Sequence, residues 1–430
     1  TQMKDHEWLK LLPVKRGRGV WLEDMQGKHY IDAISSWWVN LFGHANPHIS
    51  AAVSEQARLL EHVILAGVTH EPAVRLAEKL VEITPPGLER VFFADSGSSA
   101  VEISLKMSFH YWRNIGETGR TRFVTLSNSY HGDTLGALSV GDAGLFKAAY
   151  EPLLMEPLVA PSPDCFALPR EQWDAHAAGK LAEMRRIFAA HEGEISAVII
   201  EPLVQCAGGM RMYPPSYLTG LRALCDEYRI HLIADEIAVG FGRTGSMFAC
   251  EQGGIAPDFM CLSKGLTGGY LPMSAVMTSH TVYEAFYDEY TTLRGFLHSH
   301  SYTGNALACA AALATMELFE QGDVLADNRE LASQMLDAVS PLQDHDHVGD
   351  IRQTGMILAA EMVAQREPMI QYDWKERRGM KVYQHAMKNG VLLRPIGNVV
   401  YFMPPYVISP EEIRQMAQVA MAGIDLATTD

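Results

Sequence analysis

Two neighbouring stretches, IHLIADE (230–236) and PDFMCLSK (257–264), decide the fold of this chain. Each is a short apolar run that ends in charged or hydroxyl side chains, which is typical of a strand buried in a parallel sheet. Similar runs occur upstream in ERVFFADSG (89–97), RFVTLSNSYHG (122–132) and ISAVIIEPLVQ (195–205). Helical patterns separate these runs, so the sequence predicts an α/β protein with a mostly parallel central sheet flanked by helices.

The pattern changes towards the end of the chain. After about residue 325 a helical stretch is followed by DIRQTGMILAAEMV, a long helix and VLLRPIGNVVYFMPPY, a mixture typical of an α+β domain. The first residues contain short strand patterns around a glycine-containing turn. The predicted organisation is an N-terminal segment (1–45) that joins the small domain, a large domain (46–325) and a small C-terminal domain (326–430).

Composition and charge limit the classes of function. The 430 residues include 35 Lys and Arg against 51 Asp and Glu, which gives a formal net charge of −16. That balance argues against binding to nucleic acid or to an anionic membrane surface. No apolar run approaches the length of a membrane span, and the first residues lack the apolar core of a secretion signal. Six scattered cysteines without a CxxC pair are expected to be small buried side chains in a reducing cytoplasm.

Polar residues at the strand ends form the candidate site, since ligands of open α/β sheets bind at the carboxyl ends of the strands. These residues are Asp95–Ser98, Tyr130–Asp133, Glu201, Asp235–Glu236 and Ser263–Lys264. The sequence Ser96-Gly97-Ser98 lies between a strand and the start of a helix, where free N–H groups and hydroxyls favour a phosphate. An ordinary serine cap of the helix is an equally good interpretation of these residues.

Two further strand-end residues suggest covalent chemistry. Asp235 follows an apolar strand, and a desolvated carboxylate there needs a cationic partner, either a protonated pyridine nitrogen or Arg243 in an ion pair. Lys264 precedes a glycine-rich turn and could form an imine with a carbonyl, or be an ordinary surface lysine. A phosphate cradle, a pyridinium partner and an imine-forming lysine are together what a pyridoxal phosphate (PLP) site requires. Tyr130 or His131 could cover the face of the ring.

Other patterns point elsewhere and are weak. Gly240, Gly242 and Gly245 match a dinucleotide fingerprint, but a poor, short helix follows them, so an NAD-dependent oxidoreductase is a distant alternative. His298 and His300 lack further ligands at the spacing typical of zinc, so no metal is predicted. Another alternative is a non-catalytic binding protein that has the same fold. The presence of both a strand-end lysine and a strand-end aspartate argues against it.

The chain also resembles a known family. LIADEIAVGFGRTG (232–245) followed by DFMCLSKGLTGG (258–269) is similar to the signature of class III aminotransferases, which are fold type I PLP enzymes. The similarity extends to the blocks DSGSSAVEISLKM, SYHGDTLGALSV, IIEPLVQCAGGM and YTGNALACAAAL, and so to most of the chain. The resemblance implies a transaminase that works by ping-pong amino transfer, as a homodimer with the active site at the subunit interface.

The resemblance also implies roles for individual residues. Lys264 would be the Schiff-base lysine that moves a proton, Asp235 would pair with the pyridine nitrogen, and Tyr130 would stack on the ring. Residues of the other subunit would contact the phosphate, where the family commonly reads HGPT and this chain reads HSHS (298–301). The implied cofactor contacts are Ser96, Gly97, Ser98, Tyr130, His131, Glu201, Asp235, Lys264, Ser299, His300 and Ser301.

A narrower likeness concerns the substrate. SSWW (35–38), YHGD (130–133) and RPIG (394–397) are similar to the branch of the family that aminates 8-amino-7-oxononanoate in biotin synthesis. Enzymes of that branch take the amino group from S-adenosylmethionine, and some take it from lysine. Another class III ω-amino acid transaminase is the nearest alternative.

The same likeness implies how such a substrate is held. Arg394 would clamp the substrate carboxylate, and Trp37 would line the channel for its aliphatic chain. Asp133 and Arg243 would form a pair behind the site. The implied substrate contacts are Trp37, Trp38, Tyr130, Lys264, Ser299 and Arg394.

Overall fold

The computed structural model describes residues 3–429. Its strands are β1 (Val14–Arg18), β2 (Trp21–Asp24), β3 (His29–Asp32), β4 (Arg90–Ala94), β5 (Arg122–Leu126), β6 (Leu158–Ala160), β7 (Ile195–Ile200), β8 (Val204–Gln205), β9 (Arg211–Met212), β10 (His231–Asp235), β11 (Phe259–Leu262), β12 (Ser274–Thr278), β13 (Val348–Thr354), β14 (Ile357–Gln365), β15 (Ile370–Gln371), β16 (Val391–Leu392) and β17 (Val399–Phe402). Its helices are α1 (Ser35–Trp38), α2 (Pro47–Leu59), α3 (Glu71–Ile83), α4 (Gly97–Asn114), α5 (Leu135–Ser139), α6 (Gly144–Lys147), α7 (Trp173–Ala190), α8 (Pro215–Tyr228), α9 (Ala249–Gln252), α10 (His280–Glu284), α11 (Ala306–Glu320), α12 (Val324–Ala338), α13 (Arg378–Lys388) and α14 (Pro410–Thr428).

The central sheet has seven strands in the order β4-β12-β11-β10-β7-β5-β6. From β11 to β6 every neighbouring pair is parallel, whereas β12 runs antiparallel to both β11 and β4. The prediction of a mostly parallel sheet flanked by helices is therefore confirmed. β12 is not among the predicted strands, because SAVMT follows a glycine-rich stretch and has no apolar pattern long enough to stand out.

Both faces of this sheet are covered, as the continuous apolar strands require. Leu232 and Ala234 of β10 belong to one core cluster, together with Met260 of β11. Ile233 belongs to a second cluster, which includes Val101 of α4. Because successive side chains of a strand point to opposite faces, these clusters lie on the two sides of the sheet. A ligand therefore has access at the strand ends rather than at the faces.

The beginning and the end of the chain meet in a second sheet. β1, β2 and β3 form an antiparallel meander, and β16 joins β3 in parallel with Val391 opposite Ile31. A further sheet contains β13, β14 and β17, with β15 beside β14. The pairing of β3 with β16 supports the assignment of the N-terminal segment to the small domain, while the domain boundaries themselves stay a prediction.

The cysteine side chains are buried, as the sequence predicts. All six cysteines are buried and unpaired. Packing rather than cross-links therefore holds the chain together, which a core of this size makes possible.

No helix in residues 3–429 combines the length and the apolar character that crossing a bilayer demands.

Candidate active site

The carboxyl ends of β4, β5, β7, β10 and β11 open onto one cavity of about 1210 Å³. Most of the residues predicted for the site line it, although they come from widely separated parts of the sequence. They are Trp37, Trp38, Gly97, Ser98, Tyr130, His131, Asp133, Glu201, Asp235, Lys264 and Arg394. The residues predicted from the strand ends and those implied by the resemblance thus lie in a single place.

Lys264 follows β11 with only Ser263 between, as the first residue of a 3₁₀ turn, with φ of 44°. Its Nζ is 4.6 Å from the centre of the Trp38 ring and makes no hydrogen bond or ion pair within residues 3–429. Burial lowers the pKa of this amine, although Cys206, Asp235 and Glu201 act in the opposite direction. An amine that loses its proton readily and lies unpaired in a cavity is suited to attack a carbonyl.

Asp235 ends β10, where its carboxylate is buried and faces the cavity. Its Oδ2 lies 2.7 Å from Nδ1 of His131, and its Oδ1 accepts a hydrogen bond from the N–H of Ile237 at 3.1 Å. Nε2 of His131 is buried and has no partner in the described part of the chain. A buried carboxylate with such modest support is stabilised by a nearby cation, so this pair fits a protonated ring nitrogen.

The N-terminus of α4 forms another wall of the cavity. Gly97 and Ser98 begin this 18-residue helix, whose free N–H groups and dipole favour an anion. A Cβ on Gly97 would lie 3.0 Å from Cδ1 of Ile237, so glycine is needed for the helix to approach the strand end. Gly132 has φ of 127°, and a Cβ there would collide with Oγ of Ser98. The two glycines therefore let three segments meet around the helix end.

Tyr130 and Glu201 connect neighbouring strand ends. The N–H groups of Tyr130 and Cys206 donate to the two carboxylate oxygens of Glu201 at 3.1 and 3.0 Å. Burial raises the pKa of Glu201 to about 7. The Tyr130 hydroxyl donates to Oδ2 of Asp133 at 3.0 Å, and burial together with that carboxylate raises the pKa of Tyr130 well above its usual range. The phenol therefore stays protonated and its ring is fixed beside the cavity.

Two arginines line the cavity, and they differ in what they bind. Arg377, which was not predicted, donates from Nη1 and Nη2 to the two carboxylate oxygens of Asp5 at 2.8 and 2.7 Å. Arg394 makes no hydrogen bond or ion pair within residues 3–429, and its Cζ lies 5.8 Å from the centre of the Trp37 ring. Of these two guanidinium groups, that of Arg394 is the one available to a ligand carboxylate.

Some residues at the cavity are not predicted from the sequence. The contact between Asp5 and Arg377 joins two distant parts of the chain, and neither residue lies in a recognisable motif. Ile237 also lines the cavity. Its position two residues after Asp235, at the same strand end, is the signal that identifies it in retrospect.

The predicted pair of Asp133 and Arg243 is not formed, which corrects that prediction. Arg243 is fully buried and donates to the backbone carbonyls of Asn40 at 3.0 Å and Pro404 at 2.6 Å. Its guanidinium thus satisfies carbonyl groups of two other segments and does not reach the cavity. The alternative pairing of Arg243 with Asp235 is not formed either.

Four predicted cofactor contacts do not line the cavity of this chain. Ser96 caps α4, because its Oγ accepts the N–H of Ser99 at 3.3 Å, so the capping interpretation applies to it. Ser299, His300 and Ser301 lie in another part of the surface, where Nε2 of His62 is 2.6 Å from the carbonyl oxygen of Ser301. These three were expected to serve the site of a second subunit, and that expectation stays a prediction.

The glycine pattern at 240–245 does not form a dinucleotide site. The helix that follows it, α9, has four residues, whereas a pyrophosphate site needs a long helix directly after the glycines. A Cβ on Gly242 would instead lie 3.3 Å from Leu325 and from the Tyr406 hydroxyl, which shows that the turn is packed into the protein. The oxidoreductase alternative therefore loses its structural basis.

The fold and the site together define a class of protein. A mostly parallel sheet with an unpaired lysine and a buried aspartate at its strand ends is what a transferase that uses pyridoxal phosphate requires. The family model named "Aminotransferase class-III" matches residues 2–422, and the chain belongs to that family. It is an aminotransferase.

Relatives that match over nearly their full length carry the name of one particular aminotransferase. The chain is 45% identical to adenosylmethionine-8-amino-7-oxononanoate aminotransferase of Geobacter sulfurreducens, over 96% of this chain and 92% of that protein. The enzyme of the same name from Helicobacter pylori is 46% identical, over 99% of this chain and 93% of that protein.

Solved structures of the family superimpose closely. The adenosylmethionine-8-amino-7-oxononanoate aminotransferase of Methanocaldococcus jannaschii has a TM-score of 0.94 at 38% identity, and the match covers 99% of this chain and 95% of that one. The ω-transaminase of Pseudomonas jessenii, solved in complex with PMP, has the same TM-score of 0.94 at 30% identity, over 100% and 95% of the two chains. The fold is thus common to both activities.

Proposed function

We propose that this aminotransferase transfers an amino group to 8-amino-7-oxononanoate and thereby makes 7,8-diaminononanoate. The observation that carries the proposal is the unpaired guanidinium of Arg394 beside the Trp37 ring, in the same cavity as Lys264. A substrate carboxylate can bind the guanidinium while its aliphatic chain lies along the indole ring. The cavity therefore suits a long apolar chain with a carboxylate at one end and a carbonyl towards the other.

Sequence identity supports this activity over that of a general ω-transaminase. The two kinds of relative have equal TM-scores, so the fold gives no preference between them. Identity is higher to the Methanocaldococcus enzyme, at 38%, than to the Pseudomonas ω-transaminase, at 30%. The relatives from Geobacter and Helicobacter, which carry the former name, reach 45% and 46%.

Pyridoxal phosphate is the cofactor that we propose, and solved relatives bind it or PMP. The residues of the cavity fit this group, since the amine of Lys264, the carboxylate of Asp235 and the N-terminus of α4 all face one space. Bound PLP supplies a carbonyl that accepts amines and a ring that withdraws electrons from the carbon that loses a proton. Asp235 would keep the ring nitrogen protonated, Ser98 and Gly97 would hold the phosphate, and Tyr130 would cover the ring.

The residues around the reaction centre divide the work between binding and proton transfer. Lys264 would hold the cofactor until an amine substrate displaces it, and its freed Nζ would then carry a proton between substrate and cofactor. His131 would position the carboxylate of Asp235 through the contact of 2.7 Å. Its own Nε2, buried without a partner within residues 3–429, is a further polar atom that a bound group could satisfy.

The amino donor that we propose is S-adenosylmethionine, after the name of the relatives, with lysine as the alternative. Donor and acceptor would enter the same cavity one after the other, in two half-reactions. The cavity volume of about 1210 Å³ exceeds the 300–1,000 Å³ that is usual for a single small ligand. That volume gives room for a cofactor and a donor of nucleoside size together.

We further propose that the enzyme is a cytoplasmic homodimer. Leu293, Leu297 and Tyr302 are exposed apolar side chains close in sequence to residues 299–301, and an exposed apolar stretch of this kind is typical of an interface. A second copy that covers it would bring Ser299–Ser301 towards a neighbouring cavity. Six unpaired cysteines support a reducing compartment. Sedimentation equilibrium tests the dimer, and a monomer at micromolar concentration would contradict it.

The reverse half-reaction tests the proposed function without knowledge of the natural donor. The purified protein is loaded with PLP, and its absorption spectrum is recorded before and after addition of 7,8-diaminononanoate. We expect the band of the lysine-bound cofactor to disappear and the band of its aminated form to appear. A spectrum that responds to simple ω-amino acids but not to the diamine would support the ω-transaminase alternative instead. A protein without any PLP band would contradict both.

Substitution of the free arginine is expected to weaken substrate binding selectively. In Arg394→Ala we expect the KM for 8-amino-7-oxononanoate to rise by about 10- to 100-fold, because a charge-assisted bidentate pair contributes about 1.5–3 kcal/mol. The kcat should change much less, since the guanidinium contacts the chain end remote from the reacting carbonyl. Steady-state kinetics measure both values. Arg414→Ala, on the exposed face of α14, is the control. An unchanged KM would reject the role of Arg394.

A further inference from the structure

Four consecutive residues of the N-terminal segment have a left-handed backbone. Ser35, Ser36, Trp37 and Trp38, which form α1, have φ of 50°, 47°, 76° and 72°. None of them is glycine, and other L-residues visit this region singly because the side chain crowds the backbone. A run of four is a strained conformation, which the surrounding structure must hold in place.

Asp32 is the centre of the contacts that hold this turn. Its carboxylate is fully buried, and its Oδ2 accepts the Ser36 hydroxyl at 2.6 Å and lies 3.0 Å from Nε2 of His44. Its Oδ1 accepts the N–H of Ile34 at 3.3 Å. In the described part of the chain it forms no ion pair with Lys or Arg. The Ser36 hydroxyl is thus one of few donors to a buried carboxylate, and its loss leaves Oδ2 with His44 as its remaining side-chain partner.

The turn places two indole rings on one wall of the cavity. The Trp37 and Trp38 rings stack with their centres 6.1 Å apart and their planes at 18°. Nε1 of Trp38 donates to the Tyr401 hydroxyl at 3.0 Å, while half-exposed Trp37 lies beside Arg394. Adjacent residues of a strand point to opposite faces, and those of a right-handed helix do not face each other. Neither regular conformation would present both rings in this way.

We propose that Asp32 and Ser36 are positioning residues that set the affinity of the enzyme for an aliphatic carboxylic acid. Neither lines the cavity, so they act through Trp37. Their hydrogen bond keeps the strained turn closed, and the closed turn keeps the indole ring where an aliphatic chain bound to Arg394 would lie. The inference rests on the proposed function for the identity of the substrate, although the geometry of the turn is independent of it.

A pair of substitutions at Ser36 separates the strain from the hydroxyl. Ser36→Ala and Ser36→Gly both remove the hydrogen bond, but glycine adopts positive φ without steric cost. We expect Ser36→Ala to raise the KM for 8-amino-7-oxononanoate about tenfold with kcat within about twofold of the wild type, and Ser36→Gly to raise it less than about threefold. Ser54→Ala, at an exposed serine of α2, is the matched control. An unchanged KM in Ser36→Ala, or equal effects of alanine and glycine, would overturn the proposal.

A double-variant cycle tests whether Asp32 acts through Ser36. Asp32→Ala is expected to raise KM in the same direction, and the combination with Ser36→Ala is expected to add little, since either change removes the hydrogen bond between the two side chains. Fully additive effects would overturn the assignment of the two residues to one device.

Quenching of Trp37 fluorescence by acrylamide tests the positioning role without any substrate. The contribution of Trp37 is the difference between each protein and the same protein with Trp37→Phe. We expect acrylamide to quench Trp37 more efficiently in Ser36→Ala than in the wild type or in Ser36→Gly. If the wild type does not turn over 8-amino-7-oxononanoate, the proposed function fails, while this order of quenching still supports the positioning role. Equal quenching in all three proteins would overturn it.

Discussion

Lys264→Ala is expected to bind pyridoxal phosphate and to lose amino transfer by about 10³-fold or more. The variant retains Asp235 and the N-terminus of α4, so the groups that would hold the ring nitrogen and the phosphate are intact. It lacks the amine that holds the cofactor covalently and that carries the proton. Equilibrium dialysis measures the binding of PLP, and the rate of the half-reaction with 7,8-diaminononanoate measures the loss.

A surface lysine provides the control for this prediction. Lys180→Ala removes an amine from α7 that pairs with Glu183, far in sequence from the cavity residues, and should leave both measurements unchanged. A general acid or base usually contributes about 10²- to 10⁴-fold to the rate. Amino transfer by Lys264→Ala at about a tenth of the wild-type rate or faster would therefore contradict the role of Lys264 in proton transfer.

Asp235→Asn is expected to lower the rate of amino transfer by about 10²-fold or more and to weaken the binding of PLP. The amide keeps the size of the side chain but not its charge, and a neutral group does not hold a proton on the ring nitrogen. The loss should appear in the rate of the half-reaction as well as in the affinity for the cofactor, measured by fluorescence titration.

The neighbouring Glu236 is a demanding control for this substitution. It is also buried, but its carboxylate accepts the N–H groups of Ala249 and Cys250 at 3.0 and 2.8 Å and does not line the cavity. Glu236→Gln should reduce stability without a comparable loss of rate per folded molecule. If the two variants lose activity equally, Asp235 is important for the fold rather than for the chemistry.

The sequence was sufficient to predict the parts of the site that follow from strand ends. Asp235 and Glu201 come directly after apolar runs, and Lys264 follows one with Ser263 between. The rule that ligands bind at the carboxyl ends of the strands groups these residues before the strand order is known. The start of helix α4 also follows from the sequence, since Ser96-Gly97-Ser98 lies between an apolar run and a helical pattern and the helix begins at Gly97.

Contacts between distant segments account for what could not be predicted. The sequence offers Arg243 as a partner for Asp235, and the family resemblance pairs it with Asp133, yet its guanidinium donates to the backbone carbonyls of Asn40 and Pro404. The left-handed turn at 35–38 has no sequence signature, because the residues that favour such a backbone are absent from it. Tertiary contacts, rather than local preference, determine both features.

The parallel pairing of β3 with β16 imposes an order of events during synthesis. β3 ends at Asp32, but its partner begins at Val391 and therefore leaves the ribosome 391 − 32 = 359 residues later. At about 5–20 residues per second, the wait is roughly tens of seconds. All strands of the central sheet lie between residues 90 and 278, so that sheet can be complete before the first strands have their last neighbour. The segment that leads into Trp37 and Trp38 is thus made before the central sheet and receives its last neighbour after it.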